Sequence, residues 1–146
     1  MFKTRTFARW SRKAQVSDQA LRKAIIEMVA GLIDADLGGS VYKKRVPLLG
    51  RGKSGGARVL VATKHADRWF LLYGFGKNER ANIDDRELVA LQKLASALLS
   101  MTSVQLEHAV TESIISVGRD NARDRRACEP VQVVIAIRSG RRPYNR

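Results

Sequence analysis

The sequence predicts an α+β fold, in which the strands form a meander and the helices pack on one face of the sheet. Three β-type runs follow one another in the middle of the chain, and an amphipathic helix is predicted on each side of them. The length of 146 residues fits one main domain, and a hydrophobic fraction of 45% suffices for a buried core.

The N-terminal part is predicted to contain a strand and then a helix. Phe2–Phe7 alternates as Phe-Lys-Thr-Arg-Thr-Phe, which is typical of a strand. Ser17–Asp18 provides a polar helix start, and the apolar residues of Ala20–Ile33 keep a helical spacing. The glycine pair Gly38–Gly39 is predicted to end this helix.

The central meander is predicted from three runs of β-forming residues. These runs are Val41–Val46, Ala57–Thr63 and Trp69–Phe75. A glycine-rich loop, Gly50–Gly56, is predicted between the first two, and Lys64–Asp67 is predicted as a tight turn between the others.

A second long helix is predicted after the meander. Asp84–Asp85 places acids at its start, where they complement the helix dipole, and Leu88–Leu99 carries apolar residues at helical spacing. Further along, Val104–Ile115 fits another amphipathic helix and Val131–Ile137 fits a strand. Gly140–Arg146 resembles a basic tail.

The charge of the chain indicates a polyanionic partner. Lys and Arg number 27 against 14 Asp and Glu, a formal net charge of +13. Residues 41–80 alone contain ten Lys and Arg and two acids. Such a local excess favours nucleic acid or an acidic protein over a small metabolite.

The composition excludes several other classes. One cysteine forms no internal disulfide, and the two histidines belong to no metal-ligand spacing, so no metal or other cofactor is expected. No apolar run is long enough for a membrane span, and no secretion signal is recognised. A cytoplasmic protein with no membrane partner is the expectation.

The glycine-rich segment is cationic but is not a nucleotide-binding P-loop. It reads Gly-Arg-Gly-Lys-Ser-Gly-Gly-Ala-Arg over residues 50–58. A P-loop needs a glycine five positions before its Gly-Lys-Ser and a helix after it, whereas Pro47 occupies that position and a strand follows. Glycines in a loop let backbone N–H groups approach a phosphate closely, so an RNA or DNA contact is predicted instead.

Two motifs resemble one protein family. The glycine-rich segment and Tyr-Gly-Phe-Gly-Lys-Asn-Glu-Arg at 73–80, together with the order of the elements, resemble the RelE/ParE superfamily of type II toxin–antitoxin toxins, and most closely its HigB-like RelE branch. The resemblance covers residues 1–101 and implies a RelE-like antiparallel sheet. Residues 102–146 are interpreted as a C-terminal extension of uncertain structure.

The resemblance implies a ribosome-dependent, metal-free endoribonuclease that cuts mRNA. A Lys/Arg cluster replaces the usual His and Glu, and the ribose 2′-OH attacks the adjacent phosphate. The implied partners are a cognate antitoxin protein, the ribosome and mRNA. Cations suit this chemistry because guanidinium groups clamp phosphates and stabilise a phosphorane.

The resemblance also assigns residues to roles, with Arg58 as the first choice for stabilising the transition state. Asn78 stands where the best-studied branch has a catalytic arginine, which leaves Arg80 or Arg51 to take that place. The implied catalytic residues are Arg58, Lys53, Lys44, Lys77 and Arg80. The implied RNA-binding residues are Lys43, Arg45, Arg51, Tyr73 and Asn78.

Three alternatives remain open from the sequence. A ParE-like gyrase inhibitor shares the fold but does not need the cationic glycine segment. A non-catalytic RNA-binding protein uses the same cations only to hold phosphates, and an inactive remnant does neither. Lys43, Lys44 and Arg45 also fit an edge strand whose lysines only discourage aggregation.

Overall fold

A computed structural model describes residues 1–48, 52–64, 68–77, 79–80, 82–112 and 116–117, with backbone alone for 52–55 and 117. The elements, in chain order, are β1 (Phe2–Lys3), α1 (Arg5–Lys13), α2 (Asp18–Val29), β2 (Ala35–Gly38), β3 (Val41–Leu48), β4 (Gly52–Lys64), β5 (Arg68–Gly76), α3 (Asp85–Leu99), α4 (Ser103–Thr111) and β6 (Ser116–Val117). The predicted α+β class is confirmed.

The strands form one sheet in the order β2-β3-β4-β5-β1-β6. The meander β3-β4-β5 is antiparallel, as predicted, but β1 pairs with β5 in parallel. The parallel pair is possible because α1 and α2 connect β1 to β2 at the far edge of the sheet. From β2 the meander returns strand by strand until β5 lies beside β1. The sheet is therefore mixed rather than wholly antiparallel.

Helices cover both faces of the sheet, not one face as predicted. Leu60 and Phe70 pack in a cluster with residues of α3 and α4. Their chain neighbours Val61 and Leu71 pack in a second cluster with residues of α1 and α2. Because side chains alternate along a strand, the two clusters lie on opposite faces. Below, the two sides are called the α3 face and the α2 face.

The second half of the predicted first strand is helix. Only Phe2–Lys3 is a strand, and Thr4 then caps α1, its hydroxyl accepting the N–H of Phe7 at 3.0 Å. Phe7 and Ser11, four residues apart, are buried on one side of this helix. Alternating Thr and Phe suit a strand, but a threonine in extended conformation is also a good N-cap, and here burial of the helical face prevails.

The helix predicted to run to Ile33 ends at Val29. Gly31 adopts a φ of +94°, and the chain turns there so that the N–H of Leu32 donates to the carbonyl of Glu27 at 2.9 Å. The pair Gly38–Gly39 does not end a helix but lies in the turn between β2 and β3, with φ of +83° and +61°. The strand β2 was not predicted.

Part of the predicted glycine-rich loop belongs to a strand. The backbone of Gly52–Gly56 continues β4, with Gly52 opposite Leu48 on β3. A phosphate-cradling loop is therefore not present over these residues. Residues 49–51 lie outside the described part, as do 65–67 of the predicted turn, whose hairpin is closed by the pairing of Lys64 with Arg68.

The second long helix is confirmed as α3, which begins after Asp84. The carboxylate of Asp84 accepts the N–H of Glu87 and the carboxylate of Glu87 accepts the N–H of Asp84, a reciprocal cap. The next helix, α4, buries Leu106 and Ala109 in the same cluster as α3. The predicted strand and tail beyond residue 117 lie outside the described residues.

Candidate nucleic-acid interface

The three central strands place two arginines and a phenylalanine in one row. Arg45 on β3 lies opposite Arg58 on β4, and Arg58 lies opposite Phe75 on β5. Arg58 is two residues from Leu60, whose side chain is buried under α3, so the row lies on the α3 face. Two guanidinium groups on adjacent strands suit a chain of phosphates.

A second row lies beside the first on the same face. Lys43 is opposite Leu60, and Leu60 is opposite Tyr73. The ring centroids of Tyr73 and Phe75 are 6.2 Å apart, which links the two rows. We call the group Lys43, Arg45, Arg58, Tyr73, Phe75 and Arg80 the cationic face.

Among the arginines of this face, Arg58 is the one least engaged by the protein. It is half-buried, and its Nη1 donates to the carbonyl of Ala57 at a long 3.5 Å. Within the described part of the chain it has no carboxylate partner. Its charge is thus held on a central strand and remains available to an anion.

Arg45 has an acidic partner but keeps part of its guanidinium in solvent. Its Nε lies 3.3 Å from Oδ1 of Asp34, and the Asp34 carboxylate also accepts the backbone N–H of Arg45. The side chain of Arg45 is 48% exposed. An exposed pair of this kind is weak and is open to competition from a phosphate.

Arg80 is held by several contacts within the protein. Its Nη1 and Nη2 donate to the two carboxylate oxygens of Glu87 at 2.9 and 2.5 Å, and its Nε donates to the carbonyl of Asn82 at 2.9 Å. The guanidinium carbon lies 5.9 Å from the centroid of the Phe75 ring, a cation–π contact, and Nη1 is 3.5 Å from the Tyr73 hydroxyl.

These contacts set the ionisation of the Arg80–Glu87 pair. The hydrogen bonds that Arg80 donates to the carboxylate of Glu87 raise the pKa of Arg80 above its ordinary value. The hydrogen bond from Arg80, followed by that from the backbone of Asp84, lowers the pKa of Glu87. Arg80 is therefore a permanent cation, which disfavours it as the proton donor of a reaction and favours a positioning role.

Lys44 lies apart from the other predicted site residues. Its side chain is on the α2 face, where Nζ is 2.9 Å from Oε1 of Glu27 and donates to the carbonyl of Leu32 at 2.9 Å. Only 6% of the side chain is exposed. Because successive strand residues point to opposite faces, Lys44 is turned away from Lys43 and Arg45.

The remaining predicted residues are only partly described. The backbone of Lys53 lies in β4, and Lys77 is exposed just after β5, its N–H donating to the carbonyl of Gly56 at 3.2 Å. Arg51 and Asn78 lie outside the described residues.

Three residues of this region were not predicted as functional. Phe75 supports Arg80, while Asp34 and Glu87 hold Arg45 and Arg80. The spacing Asp84-x-x-Glu87 is a readable signal for the cap, but the second use of Glu87 as an arginine partner depends on tertiary structure.

Two further properties of the described residues bear on the chemistry. No group of three or more His, Cys, Asp or Glu among them lies close enough together to hold a metal ion. No helix in this part of the chain has the length and apolar character needed to span a membrane.

Comparison with known proteins identifies the family. Residues 1–117 match the family model of the RelE toxin of the RelE/RelB toxin–antitoxin system. No curated protein matches the chain. The match is to the RelE family as a whole, so the HigB-like branch stays a prediction. Because the family model spans most of the chain, including every helix and strand that the structure describes, the chain belongs to the RelE toxin family.

Proposed function

We propose that the chain is a toxin that cuts mRNA on the ribosome, with the cationic face as its active site and without a metal cofactor. The observation that carries this proposal is the row of Arg45, Arg58 and Phe75 across three adjacent strands. It sets two guanidinium groups beside an aromatic ring on a rigid part of the fold. Membership of a family of toxins supports an activity against a cellular target.

The row fits the demands of phosphate chemistry. Arg58 has no carboxylate partner in the described part of the chain, so binding a phosphate breaks no ion pair. Its position on the central strand β4 fixes its backbone, and preorganised charge is the largest single source of transition-state stabilisation. Arg45, next to it, offers a second guanidinium group, and phosphate binding there weakens the ion pair between Arg45 and Asp34.

The proposed reaction is transesterification within the RNA. The ribose 2′-oxygen forms a bond to the adjacent phosphorus, and the bond from phosphorus to the 5′-oxygen of the next nucleotide breaks. A lysine of the set Lys43, Lys53 and Lys77, in its neutral amine form, accepts the 2′-OH proton, and the leaving 5′-oxygen takes a proton from solvent water, whose hydroxide is neutralised by the proton that the lysine later releases. Arg58 stabilises the charge that builds on the phosphorane oxygens.

Two residues of the predicted set receive other roles. Lys44 is assigned to the packing of α2 against the sheet, since Glu27 and the Leu32 carbonyl occupy its ammonium group. Arg80 is assigned to positioning: held by Glu87, it fixes the ring of Phe75 and the hydroxyl of Tyr73 at the edge of the face.

The test is cleavage by the purified full chain with analysis of the RNA ends. Ribosomes programmed with a defined mRNA, and the same mRNA alone, are incubated with the protein. The proposal expects cuts in the ribosome-bound mRNA that carry 2′,3′-cyclic phosphate and 5′-hydroxyl ends. Ends with 3′-hydroxyl and 5′-phosphate indicate attack by water and contradict the mechanism.

A parallel assay separates the alternatives left open by the sequence. Inhibition of DNA supercoiling by gyrase with no RNA cleavage indicates a ParE-like activity. Tight RNA binding with intact RNA indicates a non-catalytic binding protein. Either result overturns the proposed function.

A further inference from the structure

One apolar surface stands out against the charged exterior. Ile26 and Val29 are 64% and 63% exposed, and Leu32 and Ile33 are 59% and 39% exposed. These four residues fall within eight consecutive positions, at the end of α2 and in the segment that follows it. We call them the α2 patch. Clustered apolar side chains in solvent mark a surface that another segment or another molecule covers.

The α2 patch has a fixed backbone at its centre. The chain turns at Gly31, so that the N–H of Leu32 donates to the carbonyl of Glu27 at 2.9 Å. The carbonyl of Leu32 accepts a hydrogen bond from Nζ of Lys44, also at 2.9 Å. The surface is therefore formed before its occupant binds, which lowers the entropic cost of docking.

Acidic side chains border the α2 patch at its C-terminal end. Asp34 directly follows Ile33, and its carboxylate pairs with Arg45, whose side chain is nearly half exposed. Asp36 lies two residues further on, in β2. It is exposed, its Oδ1 accepts the N–H of Gly38 at 2.9 Å, and no cation pairs with it in the described part of the chain. The surface therefore suits an occupant with apolar and basic side chains.

The chain itself contains a segment of this composition. Residues 131–137 read Val-Gln-Val-Val-Ile-Ala-Ile, and Arg138, Arg141 and Arg142 follow them. In an extended segment, every second side chain points to the same side, which here gives an apolar stripe of valine and isoleucine. Residues 131–146 contain no acid. They follow the part of the chain that matches the family model, which ends at residue 117.

The segment is within reach of the α2 patch. β6 ends at Val117, at the edge of the sheet opposite β2 and five strand spacings away, or about 24 Å. Thirteen residues, 118–130, join Val117 to Val131 and span about 43 Å when fully extended. The connection therefore suffices to cross the sheet within one chain.

We propose that residues 131–142 of this chain dock on the α2 patch and cover it. The apolar stripe of 131–137 packs on the patch, and the arginines that follow lie beside Asp34 and Asp36. The charges at the other end of the patch agree with this direction, because exposed Lys23 lies one helical turn before Ile26 and Glu129 precedes the apolar segment. This proposal is independent of the proposed function.

Docking also has a consequence for the site. Asp34 holds Arg45, so arginines that compete for the Asp34 carboxylate loosen the Arg45 side chain. The docked segment therefore adjoins the cationic face and couples its occupancy to the freedom of one of its guanidinium groups.

The test uses the full chain with a spin label on Cys128, its single cysteine, three residues before Val131. In an isotope-enriched chain, the label should broaden the backbone amide signals of the α2 patch relative to a diamagnetic label. Signals of α3, on the opposite face of the sheet, should stay sharp. The variant Ile26→Ser/Val29→Ser should lose most of the broadening in the rest of the patch, because its apolar contacts are removed.

The matched control is Val89→Ser/Val104→Ser, which alters exposed valines elsewhere and should keep the broadening of the α2 patch. Circular dichroism verifies that both variants fold as the parent does. Patch signals that are equally sharp with the spin label and the diamagnetic label overturn the proposal. So does unchanged broadening in the patch variant.

Two further measurements test the charges and the origin of the segment. Reversal of the three arginines, Arg138→Glu/Arg141→Glu/Arg142→Glu, should weaken the broadening at low salt. The same charge change before the segment, Arg119→Glu/Arg123→Glu/Arg125→Glu, should weaken it less, and equal effects overturn the proposal. Spin-labelled chains without isotope are also mixed with enriched chains that carry no label. Broadening of the α2 patch in this mixture assigns the surface to the segment of a second copy and overturns docking within one chain.

Discussion

Lys44 and Arg45 are neighbours with the same charge and opposite surroundings. Lys44 is buried against α2, where it satisfies Glu27 and the carbonyl of Leu32. Arg45 lies on the other side of β3 with nearly half of its side chain in solvent. Buried cations are costly unless paired, so Lys44 serves the fold, whereas Arg45 remains available to a ligand.

Replacing Lys44 by methionine should destabilise the fold and leave the chemistry intact. Lys44→Met removes the partner of Glu27 and the donor to Leu32, which should lower the free energy of unfolding by about 2–4 kcal/mol in urea titrations. The double variant Lys44→Met/Glu27→Met should recover part of this loss. Cleavage by folded Lys44→Met at a rate below about one hundredth of the parental rate contradicts this assignment.

The Arg80–Glu87 ion pair should stabilise the fold near neutral pH and lose this effect in acid. The pKa of Glu87 is lowered in the folded chain, so its pairing stabilises the fold above the ordinary value of 4.5 and this stability is lost as the pH falls through the lowered pKa. Glu87→Gln keeps the hydrogen bond to Asp84 but not the charge. The difference in urea midpoint between parent and variant should be constant near neutrality and shrink in acid. A difference that grows in acid contradicts the pairing.

Among the elements, α1 depends on the absence of a side chain on β5. A Cβ atom at Gly74 would lie 2.4 Å from the Trp10 ring, which is far inside contact distance. The ring of Trp10 packs at 5.5 Å from that of Phe7, so it is held in place. Gly74 thus permits the close packing of α1 on β5.

Gly74→Ala should push α1 away from the sheet. We expect a loss of about 1–3 kcal/mol in the free energy of unfolding, the usual cost of overpacking. The matched background is Trp10→Leu, in which the shorter side chain leaves room for the added methyl group. In a double-mutant cycle, Gly74→Ala should cost markedly less on that background. Equal costs on both backgrounds exclude a clash with Trp10 as the cause.

Some of the secondary-structure elements are predictable from the sequence, and others are not. The meander and α3 were predicted because long periodic runs have one interpretation. The segment Phe2–Phe7 fits either a strand or a helix. It is helical from Arg5 onward, because Thr4 caps α1 and Phe7 is buried on the helix face. The strand β2 is four residues long at a sheet edge, with too little pattern to recognise.

The candidate site was predictable in composition but not in arrangement. The cations of β3 and β4 are visible in the sequence, and strand alternation already separates Lys44 from its neighbours. The acids that engage them are not visible: Asp34 reaches Arg45 and Glu87 reaches Arg80 only through tertiary contacts. Arg51 and Asn78 stay predictions.

At the scale of the whole molecule, the two faces of the sheet carry different kinds of charged side chains. The α3 face carries the row of arginines and the aromatic rings, whereas the α2 face contains the buried pair of Lys44 and Glu27. The net charge of +13 favours the approach of any polyanion to the whole protein. The proposed mechanism, in contrast, assigns catalysis to one side of the sheet and makes it depend chiefly on Arg58.

The most direct test of this account compares Arg58→Ala with Arg86→Ala. Both remove one arginine, but Arg86 is exposed on α3 and does not belong to the cationic face. On ribosome-bound mRNA in single-turnover conditions, Arg58→Ala should cleave about 10²–10³-fold more slowly than the parent, the usual cost of losing one preorganised charge in an active site. Arg86→Ala should cleave at the parental rate. Parental cleavage by a folded Arg58→Ala variant contradicts the assignment of the active site to the cationic face.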